Sequence, residues 1–393
     1  MLFVGNVFEF YNFSLFVMFG EQISSAFFPN YSGYVGYVLF SVGFAARPLG
    51  GLLFGYIGDV LGRKTSLIFA AITLSLPTAL IGLLPGYSCL GTAAPVIVLL
   101  CRLLQGISIN GEYIAAAILA LEKKEVSQTF TSCVLTAANS AGASLALIVS
   151  YIILPYKESW RLWFLFGGIG SLIYLWRRFA YIKESDEFAK SNSAGENSPL
   201  ANLFKRRSAS IFIIIGIGAF SNAVSYSVVV NVKDFVSANN ANWVRESIRF
   251  IMIFLPIFTY PALGILFSKT KPENVMISIS LLGLIFTYPA FFMLSNSSKI
   301  IILTGGLIIT ILGGSISGPS KAVYKKMFPI DCRCSGIAVG KGISSFLFGG
   351  LSPLLNVWMI KAASFKLVAG YMTICAAISL ASLLMAKKKF TGF

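Results

Sequence analysis

The stretch Gly55-Tyr56-Ile57-Gly58-Asp59-Val60-Leu61-Gly62-Arg63-Lys64 separates two long apolar runs. Its glycines permit a tight turn and close contact between helices, and it ends on two adjacent basic residues. An apolar run of about twenty residues is long enough to cross a bilayer as a helix. The pattern therefore predicts a pair of membrane helices joined by a short, basic turn at the membrane surface.

The composition of the whole chain agrees with this interpretation. Of 393 residues, 56% are hydrophobic and only 12% are charged, which is about half the charged share of a soluble protein. The net charge of +16 lies in short loops between apolar runs. We therefore interpret the positive charge as a signal of membrane topology and expect the lipid bilayer, and not nucleic acid, as the surrounding partner.

Twelve apolar runs are long enough to span a membrane, which predicts an all-α membrane protein. They cover residues 2–25, 33–58, 64–85, 93–121, 128–154, 160–181, 208–232, 243–268, 273–294, 299–322, 334–360 and 363–386. The first run has no basic segment before it and is expected to be retained, not cleaved as a signal peptide. The predicted domains are an N-terminal six-helix half (1–181), a cytoplasmic central loop (182–207) and a C-terminal six-helix half (208–393).

Lysine and arginine are distributed unevenly between the two sides of this topology. With a cytoplasmic N-terminus, the outside loops hold eight of the 31 basic residues: Lys157, Arg161, Lys233, Arg245, Arg249, Lys299, Lys361 and Lys366. Arg47, Arg102 and Lys341 lie deep within helices, and the other twenty, which include Arg177 and Arg178 at the inside end of a run, lie on the inside or in the tail. Positive residues favour the cytoplasmic side, so we expect both termini to be cytoplasmic, in the inner membrane of a bacterium.

The sequence offers little for metal or enzyme chemistry. It contains no histidine, and its six cysteines form no C-x-x-C pair, so neither a metal site nor another cofactor is expected. Phosphate-loop and catalytic-triad patterns are also missing, which argues against an enzyme. Any proton carrier inside the membrane must therefore be a carboxyl group.

The stretch 55–64 resembles the loop signature G-x-x-x-D-R-x-G-R-[RK] of the major facilitator superfamily. The resemblance implies a gating loop that contains Gly55, Asp59, Gly62, Arg63 and Lys64. In it Asp59 would face the N-terminal end of helix eleven, near Ser335 and Gly336, and hold the two halves together on the cytoplasmic side. A solvated loop carboxylate is the alternative. The family has an arginine where this chain has Val60, so the charge network of the loop is expected to be incomplete.

A second polar motif lies in helix four, at Arg102-Leu103-Leu104-Gln105-Gly106-Ile107-Ser108-Ile109-Asn110-Gly111-Glu112. It is similar to the family's R-x-x-Q-G-x-x-x-G-G-E. Arg102, Gln105 and Glu112 share one helix face. Arg102 and Glu112 are about 15 Å apart along the axis, so each needs a partner on another helix or water. We predict that Arg102 and Gln105 bind substrate and that Glu112 couples to protons; a structural polar clamp is the alternative.

Helix one contains Asn6-Val7-Phe8-Glu9-Phe10-Tyr11-Asn12-Phe13. This resembles the G-N-x-x-E-W-Y-D-F opening of the metabolite:proton symporters, a subgroup that includes carriers of proline and betaine, α-ketoglutarate, citrate and shikimate. Glu9 matches the family carboxylate and is a second candidate for proton coupling. The family aspartate is Asn12 here, which cannot carry a proton. Asn12 and Tyr11 are candidates for substrate contact.

Two further cations fall within helices. Arg47 lies in Ala46-Arg47-Pro48-Leu49-Gly50-Gly51, which matches helix two of the same subgroup; it would contact substrate or act as a structural clamp. Lys341 lies in helix eleven, where the family tends to have an uncharged polar residue. It would neutralise a substrate carboxylate, pair with Glu9 or Glu112, or extend to the cytoplasmic interface.

Together the motifs imply a twelve-helix facilitator, expected to be a monomer, that couples a proton to a small-molecule substrate by alternating access. The buried cations favour a substrate with a carboxylate, either a zwitterion such as proline or betaine or a small organic acid. Two alternatives stay open. Val60, Asn12 and the degraded second-half loop at 268–272 are compatible with an uncoupled or eroded facilitator. The second alternative is a solute sensor that transports nothing, although the segment 182–207 has no room for a signalling domain.

Overall fold

The computed structural model describes residues 2–29, 35–122, 127–153, 159–190, 199–236, 242–296, 298–362 and 365–389. Every regular element in these ranges is helical. The Ser/Asn/Gly run of the central loop, at 191–198, lies outside the described residues, as do the loop lysines Lys123, Lys124 and Lys157.

The helices form twelve successive spans. Spans 1 to 6 are Leu2–Met18 with Gly20–Phe27, Val35–Ala45 with Arg47–Val60, Arg63–Leu83, Ala93–Leu121, Gln128–Ile153 and Trp160–Tyr181. Spans 7 to 12 are Ser208–Phe235, Asn242–Leu266, Pro272–Leu294, Lys299–Ser317 with Ser320–Lys326, Ile330–Cys332 through Ser352–Ala362, and Phe365–Lys389. Within the described ranges ten helices are long and apolar enough to cross a membrane, and the bent pair of span 1 makes eleven. Span 6 is less apolar and is not among these eleven, but its 22 residues extend about 33 Å, which is long enough to cross a bilayer.

Large apolar side chains are exposed on many of these helices. Ile300, Trp176, Leu266 and Phe212 are 77%, 75%, 72% and 71% exposed. A soluble monomer rarely exposes so much apolar surface. It is the surface expected of helices whose outer faces contact lipid.

Spans 1, 7 and 11 contain marked distortions. Span 1 bends by 62° between Leu2–Met18 and Gly20–Phe27. Span 7 has non-helical dihedral angles at Asn231, and span 11 contains a π-helical turn at Phe346–Gly350. The central loop also holds two short helices, Asp186–Lys190 and Pro199–Arg206.

One compact unit comprises Met1–Lys123, Ala138–Arg206 and Ile330–Gly342. Within it span 3 packs against spans 4 and 6, and span 4 packs against span 2. The first part of span 11 packs on span 2 at glycines: a Cβ added to Gly51 would lie 2.7 Å from the backbone of Ala338. This unit contains every residue that the sequence analysis selected.

The second unit comprises Lys124–Ala137, Arg207–Pro329 and Ile343–Phe393. Span 9 packs against spans 10 and 12, and span 7 packs against span 12. Hydrogen bonds hold the start of span 5 here: Ser132 Oγ donates to the Gly318 carbonyl at 2.5 Å, and Ser127 Oγ donates to the Ser268 carbonyl at 3.2 Å. Lys321 Nζ donates to Thr136 Oγ1 at 2.5 Å. The loop at 268–272, which has lost the family aspartate, thus contributes a backbone carbonyl.

Candidate functional site

Three buried ionisable side chains meet in the first unit, one from each of spans 1, 4 and 6. Glu112 of span 4 and Arg178 of span 6 form an ion pair, in which Arg178 Nη1 donates to Glu112 Oε1. They are 3% and 2% exposed, and Glu9 of span 1 is 1% exposed. Glu112 therefore finds on another helix the partner that an intramembrane carboxylate needs.

These three residues line one small cavity, which has room for about one water molecule. Gly5, Ser75 and Ser171 form part of its wall. Among the described residues, neither carboxyl oxygen of Glu9 has a hydrogen-bond donor, and Nε and Nη2 of Arg178 have no acceptor. A buried ionised carboxylate without a donor is costly. The cluster thus contains one carboxyl group that is ion-paired and one that is not.

Glycine at position 5 makes room for Arg178. A Cβ added to Gly5 would overlap the Arg178 guanidinium, so this group lies directly against the backbone of span 1. Gly5 and Glu9 are one turn apart on the same helix face. The guanidinium is therefore about one turn, roughly 5–6 Å, from the position of Glu9 along the helix.

Asn12 and Tyr11 have different surroundings. Asn12 is fully buried, and its Nδ2 donates to Ser171 Oγ of span 6 at 2.7 Å. Its Oδ1 has no donor among the described residues. Tyr11 packs in an apolar cluster with Phe16 and Phe164. The contact with Ser171 links Asn12 to the wall of the cavity, whereas Tyr11 belongs to the apolar core beside it; substrate binding by either residue stays a prediction.

Arg102 is completely buried in span 4. Its Nη1 donates to Gln105 Oε1 at 2.9 Å, and Gln105 Nε2 donates to Thr78 Oγ1 of span 3 at 2.9 Å. The guanidinium carbon lies 3.9 Å from the ring centre of Phe16 and 5.0 Å from that of Phe13. Nε and Nη2 of Arg102 have no acceptor within the described part of the chain. The aromatic ring faces stabilise this cation, but the N–H groups of Nε and Nη2 remain available to an acceptor.

Arg47 and Lys341 lie close to the same region. Arg47 stacks 3.6 Å from the ring centre of Phe44 and 4.8 Å from that of Phe13, so it shares the Phe13 ring with Arg102. Arg47 also interacts electrostatically with Glu9 and with Lys341. Lys341 is half-buried. The structure thus groups the three cations selected from the sequence around Arg47, which is the one of the three that acts on Glu9.

In the gating loop, Asp59 caps the helix that begins at Arg333. Its Oδ1 accepts a hydrogen bond from the Cys334 backbone N–H at 2.9 Å, and its Oδ2 accepts one from the Ser335 N–H at 2.8 Å. These are the second and third N–H groups of Arg333–Ser345, which an N-cap side chain normally accepts from. The helix dipole also favours a negative charge at this end. The residues contacted are Cys334 and Ser335, one position earlier than the predicted Ser335 and Gly336.

Arg63 is a buried connector in this loop and not a solvated topological charge. Its Nη1 donates to the Gly58 carbonyl at 2.9 Å and its Nη2 to the Ile330 carbonyl at 2.8 Å. Its Nε lies 3.6 Å from Glu122 Oε2. Arg63 therefore joins spans 2, 4 and 11 within the first unit.

The charge network continues through residues that the sequence analysis did not select. Arg333 Nη1 donates to Glu122 Oε1 at 2.5 Å and to Glu187 Oε2 at 2.9 Å. Val60 is 40% exposed and contributes no charge. The network that position 60 was expected to leave incomplete is thus continuous through Glu122.

Gly62 and Lys64 complete the loop. Gly62 has φ +106, a conformation that a residue with a Cβ rarely adopts. Glu184 of the central loop accepts hydrogen bonds from the backbone N–H groups of Arg63 and Lys64, each at 3.1 Å, and so caps span 3. Lys64 Nζ donates to the Phe179 carbonyl at 2.8 Å.

Arg178 is the main residue that sequence reasoning missed, because it was counted with Arg177 as a cytoplasmic charge. The structure places it inside span 6, facing the cluster, while Arg177 is exposed. A signal existed: Ser171, Tyr174 and Arg178 recur at helical spacing and share one face.

Known proteins of similar sequence identify the family of this chain. The family model of the Major Facilitator Superfamily matches residues 2–353. The chain belongs to the Major Facilitator Superfamily. The proline/betaine transporter of Salmonella typhimurium is 27% identical over 405 residues, which cover 96% of this chain and 80% of that protein. The α-ketoglutarate permease of Escherichia coli is 27% identical (99% and 93% covered), and the shikimate transporter of the same organism is 28% identical (98% and 93%).

Solved structures show the same fold. A proton:xylose symporter, bound to 6-bromo-6-deoxy-D-glucose, superposes with a TM-score of 0.74 at 16% identity, covering 99% of this facilitator and 94% of that chain. A human organic anion transporter superposes with a TM-score of 0.67 at 15% identity, with 98% and 97% covered. The predicted all-α, twelve-helix membrane fold is confirmed. The protein is a multi-pass membrane transporter and not an enzyme.

Proposed function

We propose that this facilitator is a secondary active transporter that couples a proton to a small, carboxylate-bearing solute by alternating access. The observation that carries the proposal is Arg102: a completely buried cation whose Nε and Nη2 have no acceptor among the described residues. A solute carboxylate would supply the missing acceptors as a charge-assisted, two-point contact. The Gln105 and Thr78 contacts hold the guanidinium in place for it.

The relatives favour the same class of solute. They are named for proline and betaine, α-ketoglutarate, shikimate and, in a Klebsiella pneumoniae protein, citrate with a proton. Every one of these solutes carries at least one carboxylate. The zwitterions and the organic acids in this set differ in net charge, and this difference separates the two possible substrate groups.

The proton would be carried by the cluster of Glu9 and Glu112. In a chain without histidine, these two carboxyl groups are buried next to the arginines. Deeply placed carboxyl groups with a nearby cation are common proton carriers in transporters. We further propose a bacterial inner-membrane location with both termini cytoplasmic, two six-helix halves divided at 182–207, and a monomeric working unit.

Uptake into proteoliposomes tests the proposal. We expect accumulation of radiolabelled proline, betaine, α-ketoglutarate or shikimate when an inward proton gradient is imposed, and inhibition by carboxylates but not by xylose. Inhibition by sugars alone would refute the carboxylate requirement. Uptake that equilibrates identically with and without the gradient would favour an uncoupled facilitator, and binding without any uptake would favour a sensor.

A further inference from the structure

We infer that Arg178 decides where the transported proton resides: by pairing with Glu112 it keeps that carboxylate ionised, so that the proton of each cycle is held on Glu9. This inference rests on the proposed proton coupling. It assigns separate roles to two carboxyl groups that the sequence presents as equivalent candidates.

The charges of the cluster set the number of protons. Glu9, Glu112 and Arg178 line the same cavity, and they carry one positive and up to two negative charges. With one carboxyl protonated these three residues are neutral together, and with both ionised they carry one net negative charge. Neutral buried clusters are strongly favoured over charged ones. One proton per cycle is therefore the change that this cluster supports.

Hydrogen bonding selects the carboxyl group that holds the proton. Glu112 accepts from Arg178, whereas Glu9 has no donor within the described residues. A donor stabilises the ionised form of a carboxyl group, and burial without a donor stabilises the neutral form. Arg47 also acts on Glu9 electrostatically, but it is stacked between Phe13 and Phe44 and donates no described hydrogen bond to Glu9.

The position of Arg178 allows it to change partner. Its Nε and Nη2 have no acceptor among the described residues, and its guanidinium lies on the backbone at Gly5, one turn from Glu9. Ser75, Ser171 and Tyr174 line the cavity together with Arg178 and the two glutamates, and the described lining residues contribute no further charged group. When Glu112 loses its charge, Arg178 would pair with Glu9 and hold that residue ionised instead.

This arrangement predicts a pattern of charge-pair rescue. Glu112→Gln leaves Arg178 free to pair with Glu9, so gradient-driven accumulation is lost. Arg178→Gln removes the cation that holds Glu112 ionised, so Glu112 competes with Glu9 for the proton and gradient-driven accumulation is lost again. The double variant Glu112→Gln/Arg178→Gln restores Glu9 as a lone, titratable carboxyl group and recovers accumulation. A merely structural ion pair would not give this recovery of coupling.

The experiment measures accumulation under an imposed proton gradient and, separately, solute counterflow without one. Arg177→Gln is the matched control, because it removes the adjacent, exposed arginine and should leave both rates unchanged. Accumulation by Glu112→Gln at the wild-type level, or a double variant that shows counterflow but no accumulation, would overturn the inference. If the wild type itself shows counterflow but no gradient-driven accumulation, the proposed proton coupling fails, which is a different outcome.

A spectroscopic measurement does not depend on transport by the variants. Infrared difference spectra of the purified protein should show one buried, protonated carboxyl group in the wild type. We expect its band to disappear in Glu9→Gln. Persistence of the band in Glu9→Gln would place the proton elsewhere and overturn the assignment, even where the double variant folds poorly.

Discussion

The Asp59 carboxylate and the backbone N–H of Ser335 are 2.8 Å apart, although 276 positions separate the two residues in the chain. The bond joins the last turn of span 2 to the start of span 11, inside one compact unit. Gly55 makes the approach possible, because a Cβ there would lie 2.5 Å from Ser335 Cα. The start of span 11 is thus fixed by a charged cap and by a glycine contact, and each can be removed separately.

Removal of the charge should loosen the start of span 11. Asp59→Asn keeps one acceptor but loses the interaction of a carboxylate with the helix dipole, a change of about 1 kcal/mol, or roughly a fivefold shift in population. Cys334 is 2% exposed, so its alkylation reports opening. In protein whose other five cysteines are serine, we expect alkylation of Cys334 to be about fivefold faster in Asp59→Asn. Asp331→Asn, one turn earlier and exposed, is the control; equal rates in both variants would contradict a capping role.

Gly55→Ala should destabilise the unit through overpacking. The added methyl group would meet backbone atoms of Ser335, which cannot move aside as a flexible side chain can. Forcing an extra carbon into a packed contact costs about 1–3 kcal/mol. We expect a lower thermal unfolding temperature in detergent. Gly370→Ala is the matched control, because among the described residues no atom beyond its own helix turn lies within 4 Å of its added Cβ; a similar loss of stability in both variants would show that helix packing at position 55 is not limiting.

The sequence predicted the helices well and their distortions poorly. Span 4 begins at Ala93 and ends at Leu121, as its apolar run indicated, because length and composition determine a membrane helix. The 62° bend after Met18 lies beside Gly20 and Glu21, but neither residue specifies its angle. It follows from the packing of Gly20–Phe27 against neighbouring helices, which one-dimensional hydropathy does not contain.

The candidate site was likewise predicted only in part from the sequence. The motifs selected Glu9, Arg102 and Glu112, and the structure buries all three. Arg178 was missed because successive residues of a helix point about 100° apart, so Arg177 and Arg178 have opposite environments despite identical chemistry. Rotation of span 6 about its axis decides which arginine faces inward, and only tertiary packing fixes that rotation.

Substitution of Arg102 should weaken solute binding in a graded way. Arg102→Gln removes the charge, and a lost charged hydrogen bond costs about 1.5–3 kcal/mol, so we expect KM for a carboxylate solute to rise about 10- to 100-fold. Arg102→Lys keeps the charge but not the planar, two-point donor and should have an intermediate effect. Thr78→Val removes the acceptor for Gln105 without changing any charge and should raise KM least. Unchanged KM in Arg102→Gln would remove this residue from the binding site.

Lys341 should decide between zwitterions and organic acids. It is half-buried on span 11 and interacts electrostatically with Arg47, so it lies near the arginines. With Arg102 it would give a solute two cations, which favours a dicarboxylate.

We expect Lys341→Gln to weaken inhibition by α-ketoglutarate about tenfold, which corresponds to one lost charged contact, and to leave inhibition by proline or betaine unchanged. Competition against the transported solute measures both. Lys361→Gln, at the last turn of the same span, controls for a general loss of positive charge. Unchanged inhibition by α-ketoglutarate in Lys341→Gln would mean that Lys341 does not contact the solute, and the zwitterions would then be the better-matched substrates.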